Sequence, residues 1–342
     1  MKKLLCIFTL LLALVCVLAA CDTETVRSIT KSEIVNGELV ITYSDGTSEN
    51  LGKVVGDKGD KGDSTTYDNP QGFEFFPLAD GTYGVWLLKS VFLEEVVVPS
   101  AYQGKPVTQI VGQNDAMEFY ETTLKKVTIP NTITKIGDDA FSGLKSLETV
   151  VFEENSQLTS IGEDAFVGCQ NLTSITIPNS VINIGEGAIR SSDKLTCTIY
   201  ENGKYLGNVQ NPYLYLAGVV DTSVTTFTMA DTTKWIGTAA FANCSSLATI
   251  AISEGVTSVG AAAFHGCSSL EAITIPNSVI HIGREAFVGT SSLLSVTFVE
   301  TNGWILTDGS AEKALSATEL ADADRMRLRF HSGYFSLFRT EK

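Results

Sequence analysis

The stretch AITIPNSVIHIGREAF, residues 272–287, decides the fold, because the chain has almost the same sequence, SITIPNSVINIGEGAI, at residues 174–189. In both copies apolar and polar residues alternate at first, which is the pattern of a half-buried β-strand. The proline that follows ends this strand, because it has no N–H to donate to a neighbouring strand. A second short apolar segment leads to a glycine, where we expect a turn that brings the Ala-Phe or Ala-Ile pair back to the interior. Each copy therefore predicts two short strands joined by turns.

The glycine belongs to an anchor, Ile/Val-Gly-x-x-Ala-Phe/Ile, which occurs in clean copies along the chain. These copies begin at Ile136, Ile161, Ile184, Ile236, Val259 and Ile282. Their spacings are 25, 23, 52, 23 and 23 residues, and the interval of 52 predicts a degenerate copy between Arg190 and Trp235. A weaker copy, VGQNDAM, begins at Val111, which brings the expected number of turns to about eight. Because one unit cannot bury its own apolar side chains, stacked neighbours must complete the core. The sequence predicts a mostly β repeat solenoid over residues 106–300, with units of about 23–26 residues.

The units also carry a family resemblance. The segments LTSITIPNSVINIGEGAI and LEAITIPNSVIHIGREAFVGTSSL resemble the BspA-like class of leucine-rich repeats found in bacterial and protist surface proteins. Residues 200–227 resemble the expanded repeat that interrupts such arrays, and FVETNGWILTDG, residues 298–309, is similar to their C-terminal close. The resemblance implies a curved solenoid used for adhesion or ligand capture, and it supplies no catalytic residues. The chain departs from the pattern at Ile189, in place of Phe, and at Phe152-Glu153, in place of Ile-Pro.

The N-terminus has the features of an export signal. Lys2 and Lys3 precede an apolar run over residues 4–17, and LAAC follows at residues 18–21. This run is too short for a permanent membrane-spanning helix, so we interpret residues 1–20 as a secretory signal peptide. LAAC is similar to the lipobox of bacterial lipoproteins, in which Cys21 would be lipidated and become the mature N-terminus. We therefore expect a protein anchored by lipid to the outer face of the cell membrane. The alternative is an ordinary signal peptide with a coincidental cysteine.

The charge of the chain excludes one class of partner. The formal net charge is −15, and removal of residues 1–20 takes away Lys2 and Lys3 but no acid, so that it becomes −17. Nucleic-acid binding needs clustered lysine and arginine, and the sequence has no such cluster. We therefore expect no nucleic-acid partner.

The segments that flank the repeats predict further parts. Residues 21–55 contain Asn36-Gly37 and Asp45-Gly46 between alternating segments, which predicts a small three-stranded β-meander. GDKGDKGD falls within residues 56–69, which we interpret as a collagen-like Gly-X-Y spacer too short for a triple helix. Residues 70–105 predict an aromatic-rich N-terminal β cap, and residues 301–342 predict a C-terminal cap with a helix capping box at Ser316-x-x-Glu319. The aromatic residues of the N-terminal cap could instead bind glycans by stacking.

Four cysteines lie in the repeat region: Cys169, Cys197, Cys244 and Cys267. Three of them share one repeat position, at which other copies have Leu144, Ser192 and Thr290. A position that accepts such different side chains is typical of a packing site, so we interpret these cysteines as buried thiols. A disulfide between Cys244 and Cys267 remains the alternative, because adjacent rungs lie about 5 Å apart.

The search for reactive groups finds little. We predict no catalytic residues, metal site or cofactor, because the three histidines lie in unrelated contexts and no Ser-His-Asp arrangement is evident. Asp138-Asp139 and Glu163-Asp164 occupy the same variable positions of two repeats, where an exposed acidic stripe could attract calcium or a basic partner. Alternatively, they are solvated turn residues. An outward column of threonines could contact a sugar lattice, although threonine is also a common exposed strand residue. This column consists of Thr128, Thr176, Thr274 and Thr297.

Together these observations favour one function. We expect a monomeric, non-enzymatic surface protein that binds an extracellular protein or glycan through a face of its repeats, although the sequence does not identify that face. Two rival hypotheses remain. One is a scaffold or substrate-binding subunit of an exported hydrolase, and the other is an envelope-structural protein without an external ligand.

Overall fold

The computed structural model describes residues 29–35, 38–53, 72–87, 93–112, 123–190, 194–307, 312–320 and 336–340. The chain divides into two compact units, Met1–Asp63 and Ser64–Lys342. The expected signal peptide, Cys21 and the spacer at residues 56–69 lie outside the described residues. These three expectations therefore stay predictions.

The first unit contains the predicted three-stranded meander. Its strands are β1 (Ile29–Val35), β2 (Glu38–Tyr43) and β3 (Ser48–Lys53). They pair antiparallel in the order β1-β2-β3, which confirms the meander. At the second hairpin Gly46 has a φ of 82°, and its N–H donates to the Tyr43 carbonyl at 3.0 Å. Asp45-Gly46 therefore forms the expected turn, whereas Asn36-Gly37 lies outside the described residues.

The second unit is almost entirely β-strand in its described residues. Its strands are β4 (Phe73–Pro77), β5 (Tyr83–Leu87), β6 (Glu95–Val97), β7 (Ala101–Tyr102), β8 (Lys105–Ile110), β9 (Lys126–Ile129), β10 (Lys135–Ile136), β11 (Thr149–Phe152), β12 (Ser160–Ile161), β13 (Ser174–Ile175), β14 (Asn183–Ile184), β15 (Thr198–Tyr200), β16 (Gly203–Leu206), β17 (Tyr215–Val219), β18 (Thr226–Thr228), β19 (Trp235–Ile236), β20 (Thr249–Ala251), β21 (Ser258–Val259), β22 (Ala272–Ile275), β23 (His281–Ile282), β24 (Ser295–Phe298), β25 (Trp304–Thr307), β26 (Glu312–Ala314) and β27 (Ser336–Arg339). One short helix, α1 (Ala317–Leu320), follows β26. The mostly β solenoid predicted from the repeats is confirmed.

The repeats stack as two parallel ladders. In what we call the Ile-Gly ladder, β5, β8, β10, β12 and β14 pair in parallel, and β17, β19, β21 and β23 form a second parallel run. In what we call the Leu ladder, β6, β9, β11 and β13 pair in parallel, followed by the pairs β18–β20 and β22–β24. Each turn of the chain contributes one short strand to each ladder, as the repeat pattern predicts.

The Ile-Gly ladder differs from the expected count by one rung and from the expected register by one residue. Ile110, and not Val111, pairs with Ile136, so the weak copy begins one position earlier than predicted. Val85 pairs with Ile110, which places a rung inside the region that we assigned to the N-terminal cap. Nine rungs result among the described residues: Val85, Ile110, Ile136, Ile161, Ile184, Leu216, Ile236, Val259 and Ile282.

Most inward positions are filled by apolar side chains, and the buried Thr233 and Thr290 are exceptions. The ladder isoleucines and the anchor alanines are buried, and the anchor phenylalanines stack on one another through successive turns. The ring centroids of Phe241 and Phe264 are 5.2 Å apart, and those of Phe264 and Phe287 are 5.6 Å apart, with the rings nearly parallel. Ile189 interrupts this stack, although it is itself buried. The core thus requires the same residue types in each turn, which explains the repetition.

The cysteines are free thiols in the described structure. Cys169, Cys244 and Cys267 are buried, and burial raises the pKa of Cys169 and of Cys267 to about 12. The Cys267 Sγ donates to the Phe241 carbonyl oxygen at 3.1 Å, and the hydroxyl of Thr290 at the equivalent position donates to the Phe287 carbonyl at 2.6 Å. The packing interpretation is confirmed, and Cys244 and Cys267 do not form the alternative disulfide.

Antiparallel strands cover both ends of the Ile-Gly ladder. At the start β4 pairs with β5, and Phe75 stacks on Tyr102 with centroids 4.0 Å apart. At the other end β27 pairs antiparallel with β23, the last rung, and β25 and β26 extend the same sheet. The Ser316 N–H donates to Glu319 Oε2 at 3.0 Å and the Glu319 N–H donates to Ser316 Oγ at 3.3 Å, so the predicted capping box is confirmed.

The degenerate copy lies at Tyr215–Leu216, within the predicted interval. Before it, β15, β16 and β17 form an antiparallel meander, and only then does β17 pair in parallel with β19. Asn208 joins this insertion to the preceding repeat, because its Nδ2 donates at 2.7 Å to both the Ile177 carbonyl and Asn179 Oδ1. The ladder is therefore interrupted between β14 and β17, and the core there divides into two clusters.

Candidate functional site: the cleft at the missing turn

The interruption removes one turn from the stack. After Leu216 the chain does not form a Gly-x-x-Ala-Phe turn; instead Ala217 and Gly218 continue along β17, where Gly218 pairs with Lys204. The turn that follows Ile184 therefore faces the turn that follows Ile236, without an intervening one. We call the space between them the junction cleft.

The hydrogen bonds of the turns show the same break. In ordinary neighbours the N–H of the fourth anchor residue donates to a carbonyl of the next turn, as Asp139 does to Glu163 at 2.9 Å. At the junction the Gly187 N–H donates instead to the side-chain Oγ1 of Thr238, at 2.9 Å. A hydroxyl group thus takes the place of the backbone acceptor, because the two turns do not meet in the usual register.

The junction cleft is a cavity of about 140 Å³, and it combines small side chains with charged ones. It is lined by Asp164, Glu186, Gly187, Arg190, Thr238, Ala261, Ala262, Arg284 and Glu285. Most of these residues occupy the two variable anchor positions, which follow the glycine in each copy. The second variable position has positive φ in the copies on both sides of the cleft, for example 50° at Asp164 and 57° at Glu285. The shared backbone conformation directs the variable side chains of successive turns along one face.

Arg284 bridges this face over a long sequence distance. Its Nε lies 2.9 Å from Glu186 Oε1, and its Nη2 lies 3.7 Å from Glu163 Oε1. The two intervening turns have only Thr238 and Ala261 at the equivalent position, so the long arginine side chain can extend past them. Only 11% of the Glu186 side chain is exposed, which makes this the most enclosed carboxylate among the ion pairs of the described residues.

Carboxylates crowd the cleft and disturb one another. Burial and the nearby Glu186 raise the pKa of Glu163, although Arg284 opposes the shift. Burial also raises the pKa of Asp164, against the opposing charges of Arg190 and Arg284. The Nη2 of Arg190 lies 3.4 Å from Asp164 Oδ1. Burial is therefore the main reason that both carboxyl groups hold their protons more tightly, and the arginines oppose this shift.

Of the four acidic residues considered as an exposed stripe, two are exposed. Asp138 and Glu163 are exposed on neighbouring turns, and the Glu163 N–H donates to Asp138 Oδ1 at 2.8 Å. Asp139 and Asp164 are half-buried instead of exposed, because their positive φ is part of the turn. Among the described residues no three His, Cys, Asp or Glu side chains come together as metal ligands would. The stripe is thus continuous with the junction cleft, where Arg284 and Arg190 reach it.

The structure also brings together a pair that the sequence analysis missed. Ser258 and His281 are cross-strand partners on β21 and β23, and Ser258 Oγ lies 3.2 Å from His281 Nδ1. Burial lowers the pKa of His281, which favours the neutral ring. The two residues directly precede Val259 and Ile282 in the repeat, so alignment of the copies would have revealed the contact. The adjoining cavity measures only about 10 Å³, too little for a substrate next to this hydroxyl.

The sequence matches the family described as the BspA type leucine rich repeat region, in six copies covering residues 115–209 and 220–308. The chain belongs to this BspA-type leucine-rich repeat family. The gap between the two matched segments, residues 210–219, contains β17, the strand that lacks the turn. No match was found among curated proteins.

Three solved structures of bacterial leucine-rich repeat proteins are similar to the chain. One, a leucine rich cell surface protein of Faecalibacterium prausnitzii, is 20% identical over 68% of this chain and 95% of its own, with a TM-score of 0.23. A protein of Bacteroides ovatus is 21% identical over 68% of this chain and 71% of its own, with a TM-score of 0.36. One from Bacteroides capillosus is 32% identical over 39% of this chain and 95% of its own, with a TM-score of 0.33. The chain is assigned to the family by the family match and not by its similarity to these structures.

The outward threonines and one aromatic residue of the N-terminal region lie among the described residues. Thr176, Thr274 and Thr297 are exposed, and Thr274 pairs with Thr297 on neighbouring strands of the Leu ladder, whereas Thr128 is half-buried. Trp86 in the N-terminal region is half-buried, and its Nε1 donates to Glu74 Oε2 at 3.0 Å. No helix within the described residues is long and apolar enough to cross a membrane.

The burial of Asp164 predicts a pH-dependent effect of Asp164→Asn. Because the folded-state pKa of Asp164 is raised, the folded chain binds this proton more tightly than the unfolded chain does. The stabilisation from this group is complete below the ordinary pKa of 3.8 and is lost as the pH rises through the raised pKa. Relative to wild type, the free energy of unfolding of the Asn variant should therefore increase between acidic and neutral pH. Urea titrations over this pH range measure the difference; a constant difference, or one that decreases, would contradict the prediction.

Proposed function

We propose that this chain is an exported, lipid-anchored surface protein whose stacked repeats bind an extracellular macromolecule. The observation that supports this function best is the difference between the inward and the outward positions of each repeat. Inward positions hold the same apolar residue types from turn to turn, while outward positions vary and lie in columns. A stacked array of this kind offers one extended surface for many weak contacts.

The comparisons add support for a surface role. The family is one of repeat proteins, and the similar F. prausnitzii chain is described as a cell surface protein. Among the described residues, the rival role in an exported hydrolase is favoured by the Ser258–His281 pair alone, and the small space beside this pair argues against it. We favour a monomeric binding protein with a protein or glycan ligand over an enzyme.

The lipid anchor is tested at Cys21. Cells that express the chain should incorporate radiolabelled palmitate into it and retain it in the membrane fraction, because the acyl chains are attached through this cysteine. Cys21→Ser should lose the label and release the chain from the membrane. Equal labelling of both forms would contradict the anchor.

Ligand binding is tested with the mature Cys21→Ser chain on arrays of glycans, mucins and matrix proteins. We expect saturable binding to at least one class. Thr274→Arg in the Leu ladder and Glu285→Lys at the junction cleft then locate the binding face, because each changes the charge of a different exposed surface. Absence of saturable binding on all three kinds of array would contradict the proposed function.

A further inference from the structure

The junction cleft has a shape that follows from the missing turn. Turns from both sides of the interruption line it, and its interior positions are small: Thr238, Ala261 and Ala262. At the position of Ala261 other copies have Asp138, Glu163 and Arg284, so a long side chain fits there in the repeat geometry. The cavity of about 140 Å³ therefore corresponds to long side chains that this chain lacks.

The cleft already holds a guanidinium group. Arg284 extends to the enclosed Glu186 at 2.9 Å and approaches Glu163 at 3.7 Å, across the small side chains of two turns. Nη1 of Arg284 makes no hydrogen bond within the described part of the chain, so the group is held at one side only. This internal contact shows which chemistry the cleft accepts: a planar cation on a flexible stem.

The charge balance leaves room for a second cation. Asp164, Glu186 and Glu285 line the cleft, and Glu163 lies beside it next to Arg284. The guanidinium groups of Arg190 and Arg284 are their cationic neighbours. Four carboxylates therefore face two guanidinium groups, and burial together with the charge of Glu186 raises the pKa of Glu163 although Arg284 opposes the shift. An anionic ligand would be repelled. A bare metal ion lacks the converging set of three ligands among the described residues.

We propose that the junction cleft receives a lysine or arginine side chain of an extracellular protein partner. The inserted cation lies beside Arg284 and contacts the carboxylates of Glu186 and Asp164, while Ala261 and Ala262 accommodate its aliphatic stem. The inference deepens the proposed function, on which it rests, by naming a protein ligand and the part of it that is recognised. The opposite charges of the acidic chain and a basic partner also favour their encounter.

The test uses acetyl-arginine amide as the probe and acetyl-citrulline amide as its neutral isostere. Both are titrated against the mature Cys21→Ser chain, with binding followed by the amide NMR signals of Gly187 and Thr238. We expect saturable shifts with the arginine compound and at least about tenfold weaker binding of the citrulline compound, because only the former has the charge that the carboxylates attract.

Two variants then assign the site. Glu186→Gln removes the enclosed carboxylate, and Ala261→Gln fills the cleft without changing any charge. Each should weaken arginine binding about tenfold or more, since one removes the attraction and the other removes the space. Glu148→Gln, an exposed carboxylate on the Leu-ladder side of the repeat, is the matched control and should bind like wild type. Thermal melting establishes whether each variant is folded. If Glu186→Gln does not fold, Ala261→Gln still tests the inference.

The outcomes separate the inference from the proposed function. Equal binding of arginine and citrulline, no saturable shift, or unchanged binding in both folded variants would overturn the inference. If the arrays nevertheless identify a ligand whose binding is insensitive to Glu186→Gln and Ala261→Gln, the proposed function stands and the binding face lies elsewhere. If the probe binds as expected but no glycan, mucin or matrix-protein array shows saturable binding, the cleft is a cation site and the proposed adhesive role fails.

Discussion

Successive turns of this protein approach so closely at one position of the repeat that only glycine fits there. A Cβ atom added to Gly162 would lie 2.5 Å from the Asp138 nitrogen and from the Gly137 carbonyl carbon, both of the preceding turn. Gly260 and Gly283 meet the preceding turns in the same way. This close approach sets the distance between turns, and the isoleucine rungs and stacked phenylalanine rings pack at that distance. The rest of the second unit, including its one interruption, depends on this spacing.

The interruption turns a regular array into a molecule with a distinct site. Where Leu216 continues as a strand, the turn layer lacks one member, and the phenol of Tyr215 is buried near Gly237, at which a Cβ would lie 2.6 Å from its oxygen. The turns on both sides then present their variable residues to an open space. Arg284 and Glu186 lie 98 residues apart in sequence, and they meet because the stack places their turns on one face. The omitted turn is thus the reason why charged side chains of distant repeats meet at the junction cleft.

Much of this architecture could be predicted from the sequence, because the interior of each turn demands the same residue types. The clean anchors gave the strands, the register of Ile136, Ile161 and Ile184, the shared cysteine position and the interval that holds the degenerate copy. Prediction failed where the pattern is ambiguous. Ile110-Val111 offers two apolar candidates for one rung, and the rung at Val85 lacks the glycine anchor altogether.

The junction cleft was beyond sequence reasoning for a different reason. Glu163 and Asp164 were noticed as an acidic pair, but their arginine partners come from other repeats. The contact of Arg284 also crosses the place where a turn is omitted. The contact of Ser258 with His281 could have been predicted from the sequence, since both residues occupy the same repeat position in adjacent copies. A comparison of copies column by column, in addition to along the chain, recovers such neighbours. It does not show where the stack opens.

The most direct test of the account compares two glycine substitutions by their effect on the free energy of unfolding. Gly162→Ala places a Cβ against the backbone of the preceding turn, whereas the atom nearest to a Cβ at Gly218 is 3.8 Å away, and neither position has a positive φ. We predict that Gly162→Ala lowers the free energy of unfolding by about 3 kcal/mol or more, as forced overpacking does. Gly218→Ala should change it by less than about 1 kcal/mol. Equal effects of the two substitutions, measured by denaturant titration, would contradict the close stacking of turns on which the structure depends.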